Sequence, residues 1–244
     1  MFSRFSARSP NPQGELNYRN PFTLLVAVVL SAQATDKGVN KATPALFDLA
    51  DTPAKMAALG EAKIASLIKT IGLYRGKAKN VAELSKRLAE EFHGEVPRDR
   101  ETLESLPGVG RKTANVVLNI AFGEHTIAVD THVFRVANRT GLAPGRTPLE
   151  VERQLMRRVP EKYLARAHHW LILHGRYVCL ARKPLCPQCS IADICKFKDK
   201  TKPAESGVSL RASKRPQASD RQGKSAAVSR RRLKRTPAAA PRDK

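Results

Sequence analysis

The segment LPGVGRKTA at residues 106–114 constrains the fold most, because it places a glycine-rich turn between two short helical patterns. Gly108 and Gly110 can adopt backbone angles that other residues avoid, and they let a phosphate approach the main chain closely. The first pattern runs from Arg100 to Ser105, and the second, largely apolar, runs from Lys112 to Ala121. Because the first N–H groups of a helix are unpaired, this predicted helix-hairpin-helix could bind an anion. An ordinary tight connection between two helices is the alternative.

Lys112 and Asp130 are the candidate chemical groups near this turn. Lys112 falls in the first turn of a predicted helix, where the positive end of the helix dipole favours a free amine over an ammonium. A free amine can attack an electron-poor carbon, whereas a charged lysine would only contact phosphate. Asp130 follows an apolar run and precedes another helical pattern, so it suits a helix cap. It could equally face Lys112 across a cleft, hold the amine and accept a proton.

The cysteines of the chain all fall in one short stretch, which comprises Cys179, Cys186, Cys189 and Cys195. No signal peptide is apparent, so a secreted disulfide framework is disfavoured and a metal site is predicted. Their spacing alone leaves zinc and an iron–sulfur cluster open. Lys183 lies between the first two cysteines, and we expect this loop to display positive charge toward DNA phosphates.

The charge balance predicts a polyanionic partner. The chain contains 44 Lys and Arg against 22 Asp and Glu, a formal net charge of +22. Residues 199–244 hold 14 basic and 4 acidic residues and no aromatic residue, so the remainder is basic as well. We expect a disordered basic tail at 199–244, which either adds non-specific attraction to DNA or is only a solvated extension.

The apolar periodicity predicts an all-α fold, since it is helical from residue 21 to the cysteines. The longest apolar run, Phe22 to Leu30, is far shorter than the ~20 residues that cross a bilayer, so it predicts a buried core helix and no membrane span. Asn20 and Pro21 suit its cap and first position. Neither end carries a sustained apolar segment, and we expect a cytoplasmic protein.

Several motifs, in order along the chain, resemble the endonuclease III family of helix-hairpin-helix DNA glycosylases and abasic-site lyases. The resemblance covers about residues 15–198. The matching motifs are LSAQATD at 30–36, IGLY at 71–74, the glycine turn at 106–117, VDTH at 129–132, HHWLILHG at 168–175 and the four-cysteine signature. It implies that the four cysteines hold a [4Fe-4S] cluster, that Lys112 is the nucleophile and that Asp130 is the catalytic carboxylate.

The resemblance also implies an architecture of two helical lobes with a DNA-binding cleft between them. A six-helix lobe at 15–124 would contain the helix-hairpin-helix, and a second lobe at 125–198 would contain the cluster loop and pack with residues 1–14. A lysine reaches C1′ of a nucleotide only after the nucleotide is extruded from the duplex. The expected DNA-contacting residues are Gln33, Ile71 and Leu73, which would fill the vacated stack, and Gly108, Val109, Gly110, Arg111 and Lys183, which would contact phosphates.

The implied function is base excision repair of double-stranded DNA that contains damaged pyrimidines or abasic sites. The resemblance implies removal of oxidised pyrimidines through a lysine Schiff base, followed by β-elimination that nicks the strand 3′ to the abasic site. We expect a monomer associated with a bacterial nucleoid. Two alternatives remain: a monofunctional adenine glycosylase, which typically lacks a lysine at position 112, and a non-catalytic DNA-binding module with a structural zinc ion.

Overall fold

The computed structural model of the protein describes residues 1–203, and this part of the chain forms ten α-helices without a β-strand. The all-α prediction is confirmed. The helices are α1 (Phe2–Arg8), α2 (Pro21–Leu30), α3 (Asp36–Leu49), α4 (Pro53–Leu67), α5 (Tyr74–Glu91), α6 (Arg100–Ser105), α7 (Arg111–Phe122), α8 (Thr131–Thr140), α9 (Pro148–Arg158) and α10 (Glu161–Tyr177). A short 3₁₀ turn follows at Cys186–Gln188. No helix among the described residues is long and apolar enough to cross a membrane.

Local side-chain caps set where many of these helices begin. Asn20 and Thr23 form a capping box at the start of α2, and Pro21 occupies its first position as predicted. Asp99 accepts a hydrogen bond from the Thr102 N–H at the start of α6. In contrast, α7 begins after Gly110 without a side-chain cap, so the N-terminus of the second hairpin helix remains available to a ligand.

Helix α4 is interrupted within its length. Gly60 has φ 74° and ψ 160°, so two helical segments meet at a kink there. Side chains rarely adopt this positive φ, and glycine can adopt it without strain. The periodic pattern identified the apolar face, whereas the kink has no signature in that pattern.

Two large apolar cores organise the described residues. The first is built from α2 to α7 and contains residues between Phe22 and Leu118. The second joins Phe2 and Phe5 of α1 to residues between Ile127 and Ile191. A smaller separate cluster consists of Leu24 and Val28 of α2, Val116 of α7 and Ala128 in the segment before α8. The lobe boundaries near residues 14, 124 and 198 remain predictions.

The N-terminal helix is held against α10 and the cysteine segment. The ring of Phe2 stacks on Tyr163 with centroids 5.9 Å apart, and Trp170 Nε1 donates to the Ser9 carbonyl over 2.8 Å. Arg4 donates to the Ser190 carbonyl over 2.8 Å and pairs with Asp193. This guanidinium lowers the pKa of Asp193 to about 2. The start of the chain is thereby bound to the segment that carries the cysteines.

Candidate active site and cysteine cavity

One large cavity of the described residues contains both candidate chemical groups. Its volume is about 1330 Å³, larger than the roughly 300–1,000 Å³ of common ligand pockets. Lys112 comes from the first turn of α7, and Asp130 precedes α8. The turn after α2 contributes Gln33, and α10 contributes His168 and Arg176. The fold therefore gathers residues from four distant parts of the sequence around one space that could admit a nucleotide.

The two candidate groups differ in how the structure holds them. Lys112 is exposed at the uncapped N-terminus of α7, so its amine is free to reach into the cavity. Asp130 is partly buried, and its Oδ1 accepts a hydrogen bond from the Val133 N–H over 2.7 Å. The sequence left open whether Asp130 caps α8 or faces the cleft, and its side chain both caps the helix and lines the cavity. The cap fixes the orientation of the carboxylate.

A buried histidine forms part of the cavity wall. His168 is 4% exposed, and its Nδ1 lies 3.0 Å from the Ala128 carbonyl. Burial lowers the pKa of His168 to about 4, so the ring is neutral at physiological pH and Nδ1–H donates to the carbonyl. His168 is thus a packing residue beside the candidate site.

Acidic side chains occupy another side of the cavity. Arg176 pairs with Asp36 over 2.6 Å and with Glu15 over 2.5 Å. Tyr177 donates its hydroxyl to Glu15 as well. This hydrogen bond raises the pKa of Tyr177. The network joins the segment before α2, the start of α3 and the end of α10.

The glycine turn adopts the geometry that its sequence predicted. Gly108 has φ 77°, and a Cβ on it would lie 2.8 Å from Asn80 Nδ2. Both Gly108 and Gly110 are exposed. Val109 is 6% exposed and its N–H donates to the Leu106 carbonyl. Its side chain belongs to the first core, and the expected contact of Val109 with DNA stays a prediction.

Arg111 makes an internal ion pair that the sequence analysis did not foresee. Its Nε and Nη2 donate to the carboxylate of Glu152, with a shortest distance of 2.7 Å. Glu152 is 8% exposed on α9, and its carboxylate raises the pKa of Arg111. The guanidinium thus ties the hairpin to α9, and its expected contact with phosphate stays a prediction. Its main-chain N–H, in the first turn of α7, remains suited to that purpose.

Two candidate inserting residues have strained backbones, and a third is buried. Gln33 and Leu73 have φ of 53° and 60°, in the left-handed region that non-glycine residues rarely adopt. Leu73 is 68% exposed, which is unusual for a large apolar side chain in a turn. Ile71 is 3% exposed and packs with Ile64 and Ile68 in the first core. The expectation that Ile71 inserts into DNA stays a prediction, and its side chain is buried in the turn before α5.

The four cysteines line a second cavity, together with His174, Ile191 and Phe197. All four are free and partly buried. Burial raises the pKa of Cys189, and the neighbouring Cys195, Cys179 and Cys186 raise it further, so four thiolates here require a positive centre between them. Among residues 1–203, no three His, Cys, Asp or Glu side chains converge as ligands of one metal ion. Four sulfurs around one space fit the thiolate donor set of a multi-iron cluster.

Polar groups from α8 and α10 contact the cysteine sulfurs. Arg139 Nη1 lies 3.6 Å from Cys179 Sγ and donates to the Leu180 carbonyl over 2.7 Å. His174 Nε2 lies 3.6 Å from Cys189 Sγ. Lys183 is exposed in the loop between the first two cysteines. The cysteine loop is therefore oriented by the same two helices that contribute residues to the large cavity.

Matches to known families agree with this geometry. Residues 26–161 match the HhH-GPD superfamily of base excision DNA repair proteins, and residues 179–195 match the iron-sulfur binding domain of endonuclease III. The fold and the two cavities thus define a helix-hairpin-helix DNA repair protein of the iron–sulfur type.

Relatives narrow this assignment further. The chain is 59% identical to endonuclease III of Treponema pallidum (strain Nichols) over 195 residues, which span 80% of this chain and 92% of that protein. It is 56% identical to endonuclease III of Escherichia coli (strain K12) over 200 residues, 82% and 95% of the two chains. A solved structure of a trapped endonuclease III–DNA covalent intermediate matches with TM-score 0.75 and 47% identity, covering 80% of this chain and 92% of that one.

The chain belongs to the endonuclease III family. It is a DNA glycosylase and abasic-site lyase of base excision repair, it binds DNA, and its cofactor is a [4Fe-4S] cluster. The predicted tail at 199–244 lies outside the described residues from residue 204 onward.

The structure also reveals buried polar residues that the sequence analysis overlooked. Lys77 is 7% exposed although it is a lysine, and it lies on the same face of α5 as the core residues Val81, Leu84 and Leu88. That helical spacing was a usable signal, since a charged residue within an apolar stripe is unusual. Glu152, by contrast, could not be paired with Arg111 from the sequence, because the two are 41 residues apart.

Proposed function

We propose that this protein removes oxidised pyrimidines from double-stranded DNA and nicks the strand through a Schiff base on Lys112. The observation that carries the proposal is the shared cavity, where an exposed amine at a helix N-terminus and a cap-oriented carboxylate face one space. A solved relative supports it, since that structure is a trapped endonuclease III–DNA covalent intermediate. The preference for oxidised pyrimidines rests on the family resemblance.

In the first step, the neutral Lys112 amine attacks C1′ of the extruded nucleotide. The new N–C1′ bond forms as the bond from C1′ to the base breaks, and its electron pair leaves with the base, which takes up a proton. Asp130 is the carboxylate that accepts the proton released by the attacking amine and balances positive charge at C1′. The nitrogen lone pair then forms the protonated C1′=N imine as the C1′–O4′ bond breaks, and O4′ keeps the electron pair of that bond and takes up a proton.

In the second step, the imine serves as an electron sink. It acidifies the hydrogens at C2′, and removal of one of them by a base drives elimination of the 3′ phosphate. The electron pair of the C2′–H bond becomes a carbon–carbon double bond, and the departing phosphate takes the electrons of the C3′–O bond. Strand cleavage therefore needs no hydrolytic metal ion, and the [4Fe-4S] cluster has a structural place in holding the loop at residues 179–195.

DNA contacts come from the exposed, strained turns and from the hairpin. We assign Gln33 and Leu73 to the space that the extruded nucleotide vacates, because both are exposed at positive φ. Gly108 and Gly110 would let a phosphate approach the N-terminus of α7, which has no side-chain cap to occupy its first N–H groups. Lys183 adds positive charge on the cysteine loop.

The two-lobe architecture and the solution state belong to the same proposal. A lobe at residues 15–124 and a second lobe from 1–14 and 125–198 are supported by the two apolar cores. One chain supplies every residue that lines the large cavity, so a monomer is sufficient for one lesion. We propose that it acts on the nucleoid of a bacterial cytoplasm, where its substrate is found.

The test is borohydride reduction during reaction with duplex DNA that contains an abasic site. The native protein should form a covalent adduct, and Lys112→Gln should form none while keeping its far-ultraviolet spectrum and cluster absorption. Asp130→Asn retains a good cap residue, so it should fold normally and react slowly. Lys86→Gln, an exposed substitution on α5, is the matched control and should be trapped like the native protein. Trapping of Lys112→Gln at the native rate would overturn the assignment.

A further inference from the structure

Lys77 is a buried lysine outside the proposed chemical site. It lies in the first turns of α5 and is 7% exposed. Its Nζ donates to the Leu30 carbonyl over 2.9 Å, and burial lowers the pKa of the ammonium. A buried ammonium is costly, so its position needs a compensating role or partner. The Leu30 carbonyl is suitable because it lies at the negative C-terminal end of α2, which has no basic residue in its own last turn.

The two hydrogen bonds of Lys77 lead to the two exposed turns. Its main-chain N–H donates to the Leu73 carbonyl over 3.2 Å, and Leu73 is the exposed residue at φ 60°. Its ammonium holds Leu30, three residues before Gln33, whose φ is 53°. One residue thus links the turn after α2 with the turn before α5. Left-handed non-glycine residues cost free energy and persist only where the surrounding structure fixes them.

We propose that Lys77 is a positioning residue that holds the Gln33 and Leu73 turns in register, so that both side chains enter the DNA stack together. The inference rests on the proposed function, in which these two side chains fill the space of the extruded nucleotide. Lys77 itself is too buried to touch DNA. Its effect should therefore be seen in extrusion of the nucleotide and only weakly in the chemistry at Lys112.

The two substrates of this enzyme class separate these effects. A paired, stacked base must be unstacked at a cost of a few kcal/mol before it is excised, whereas an abasic site has no base to unpair. Loss of the register between the turns should therefore slow excision of a paired damaged base far more than nicking of a preformed abasic site. If Lys77 only stabilised the fold, its substitution would slow both reactions in proportion to the fraction of protein that remains folded.

The experiment compares Lys77→Met, which keeps the stem and removes the charge, with the native protein. Single-turnover excision of an oxidised pyrimidine from duplex DNA should fall about tenfold or more, while nicking of abasic duplex should change by less than about threefold. A 2-aminopurine placed opposite the damaged base fluoresces more when the base stack is disturbed. Its fluorescence should rise less when Lys77→Met binds the duplex than when the native protein binds it. Equal losses on both substrates, or no loss on either, would overturn the proposal.

The matched control is Leu84→Ala on the same face of α5, two turns farther from the exposed turns. Leu84 is fully buried, so this variant should melt at lower temperature and keep the native ratio of excision to nicking. If Lys77→Met is not obtained as a folded protein with the visible absorption of the native cluster, Lys77→Gln is measured in the same way. A Leu84→Ala variant that reproduces the selective loss would show that α5 stability alone causes it.

A double-substitution series distinguishes failure of this inference from failure of the proposed function. If Lys77 acts through the two turns, Lys77→Met should reduce excision very little in a background that already carries Gln33→Ala and Leu73→Ala. If Gln33→Ala and Leu73→Ala leave excision unchanged, the proposed insertion itself is wrong. If they lower excision and the Lys77 effect simply adds to theirs, insertion stands and the positioning role of Lys77 is rejected.

Discussion

Leu73→Ala should separate the stability of the protein from its ability to hold a nucleotide out of the duplex. Leu73 is 68% exposed, so about two-thirds of its apolar surface gains no burial from the protein itself. Complete burial of a leucine side chain is worth ~1.5–3 kcal/mol, and insertion into DNA should therefore contribute about 1–2 kcal/mol. Alanine keeps Cβ and thus the left-handed strain at φ 60°, so backbone effects cancel in the comparison.

This free energy corresponds to about a 5- to 30-fold loss in single-turnover excision of an oxidised pyrimidine. The remaining third of the side chain packs on the protein, so unfolding in urea should be easier by only about 0.5–1 kcal/mol. Both quantities are measured on the same preparation, with nicking of abasic duplex as the internal reference. Native excision by Leu73→Ala would refute the argument, and so would a loss of excision that matches the loss of nicking.

Two glycine substitutions test the geometry around the chemical groups. Gly108→Ala places a Cβ 2.8 Å from Asn80 Nδ2 on a residue whose φ is 77°. This substitution should destabilise the turn by ~1–2 kcal/mol and weaken DNA affinity at fixed salt. Unchanged affinity would exclude the turn from the DNA interface. Gly175→Ala places a Cβ 2.7 Å from His132 Cβ, so it should push α8 away from α10. The variant should lose ~1–3 kcal/mol of stability, which a lower melting temperature would report, and it should nick abasic DNA more slowly. A native melting temperature and a native nicking rate would show that α8 and α10 accommodate the added methyl group without moving Asp130.

The residues that the sequence located well are those whose signals are local. Helix α6 has the bounds that its pattern predicted, since Asp99 caps its start and the residues after Ser105 cannot continue it. The start of α2 at Pro21 follows from the capping box in the same way. The grouping of the four cysteines around one cavity also follows from short spacing, because a 17-residue stretch cannot carry them far apart.

What the sequence could not predict is which way a side chain faces, because this depends on contacts between distant segments. Ile71 and Val109 lie in motifs with an expected DNA contact, and the structure buries both side chains in the first core. Arg111 lies in such a motif as well, and its ion pair with Glu152 from a distant helix was not foreseen. Lys77 was overlooked because a charged residue suggests an exposed surface, although its helical spacing places it among core residues.

The composition of the second core affects the order in which parts of the chain can fold. It combines Phe2 and Phe5 with residues as late as Ile191, whereas the first core lies wholly within residues 22–118. At a synthesis rate of ~5–20 residues per second, the opening residues wait roughly 10–40 s for their partners to leave the ribosome. The part of the protein with the hairpin can therefore fold during translation, while the cysteine segment reaches its final arrangement only as the last helices emerge.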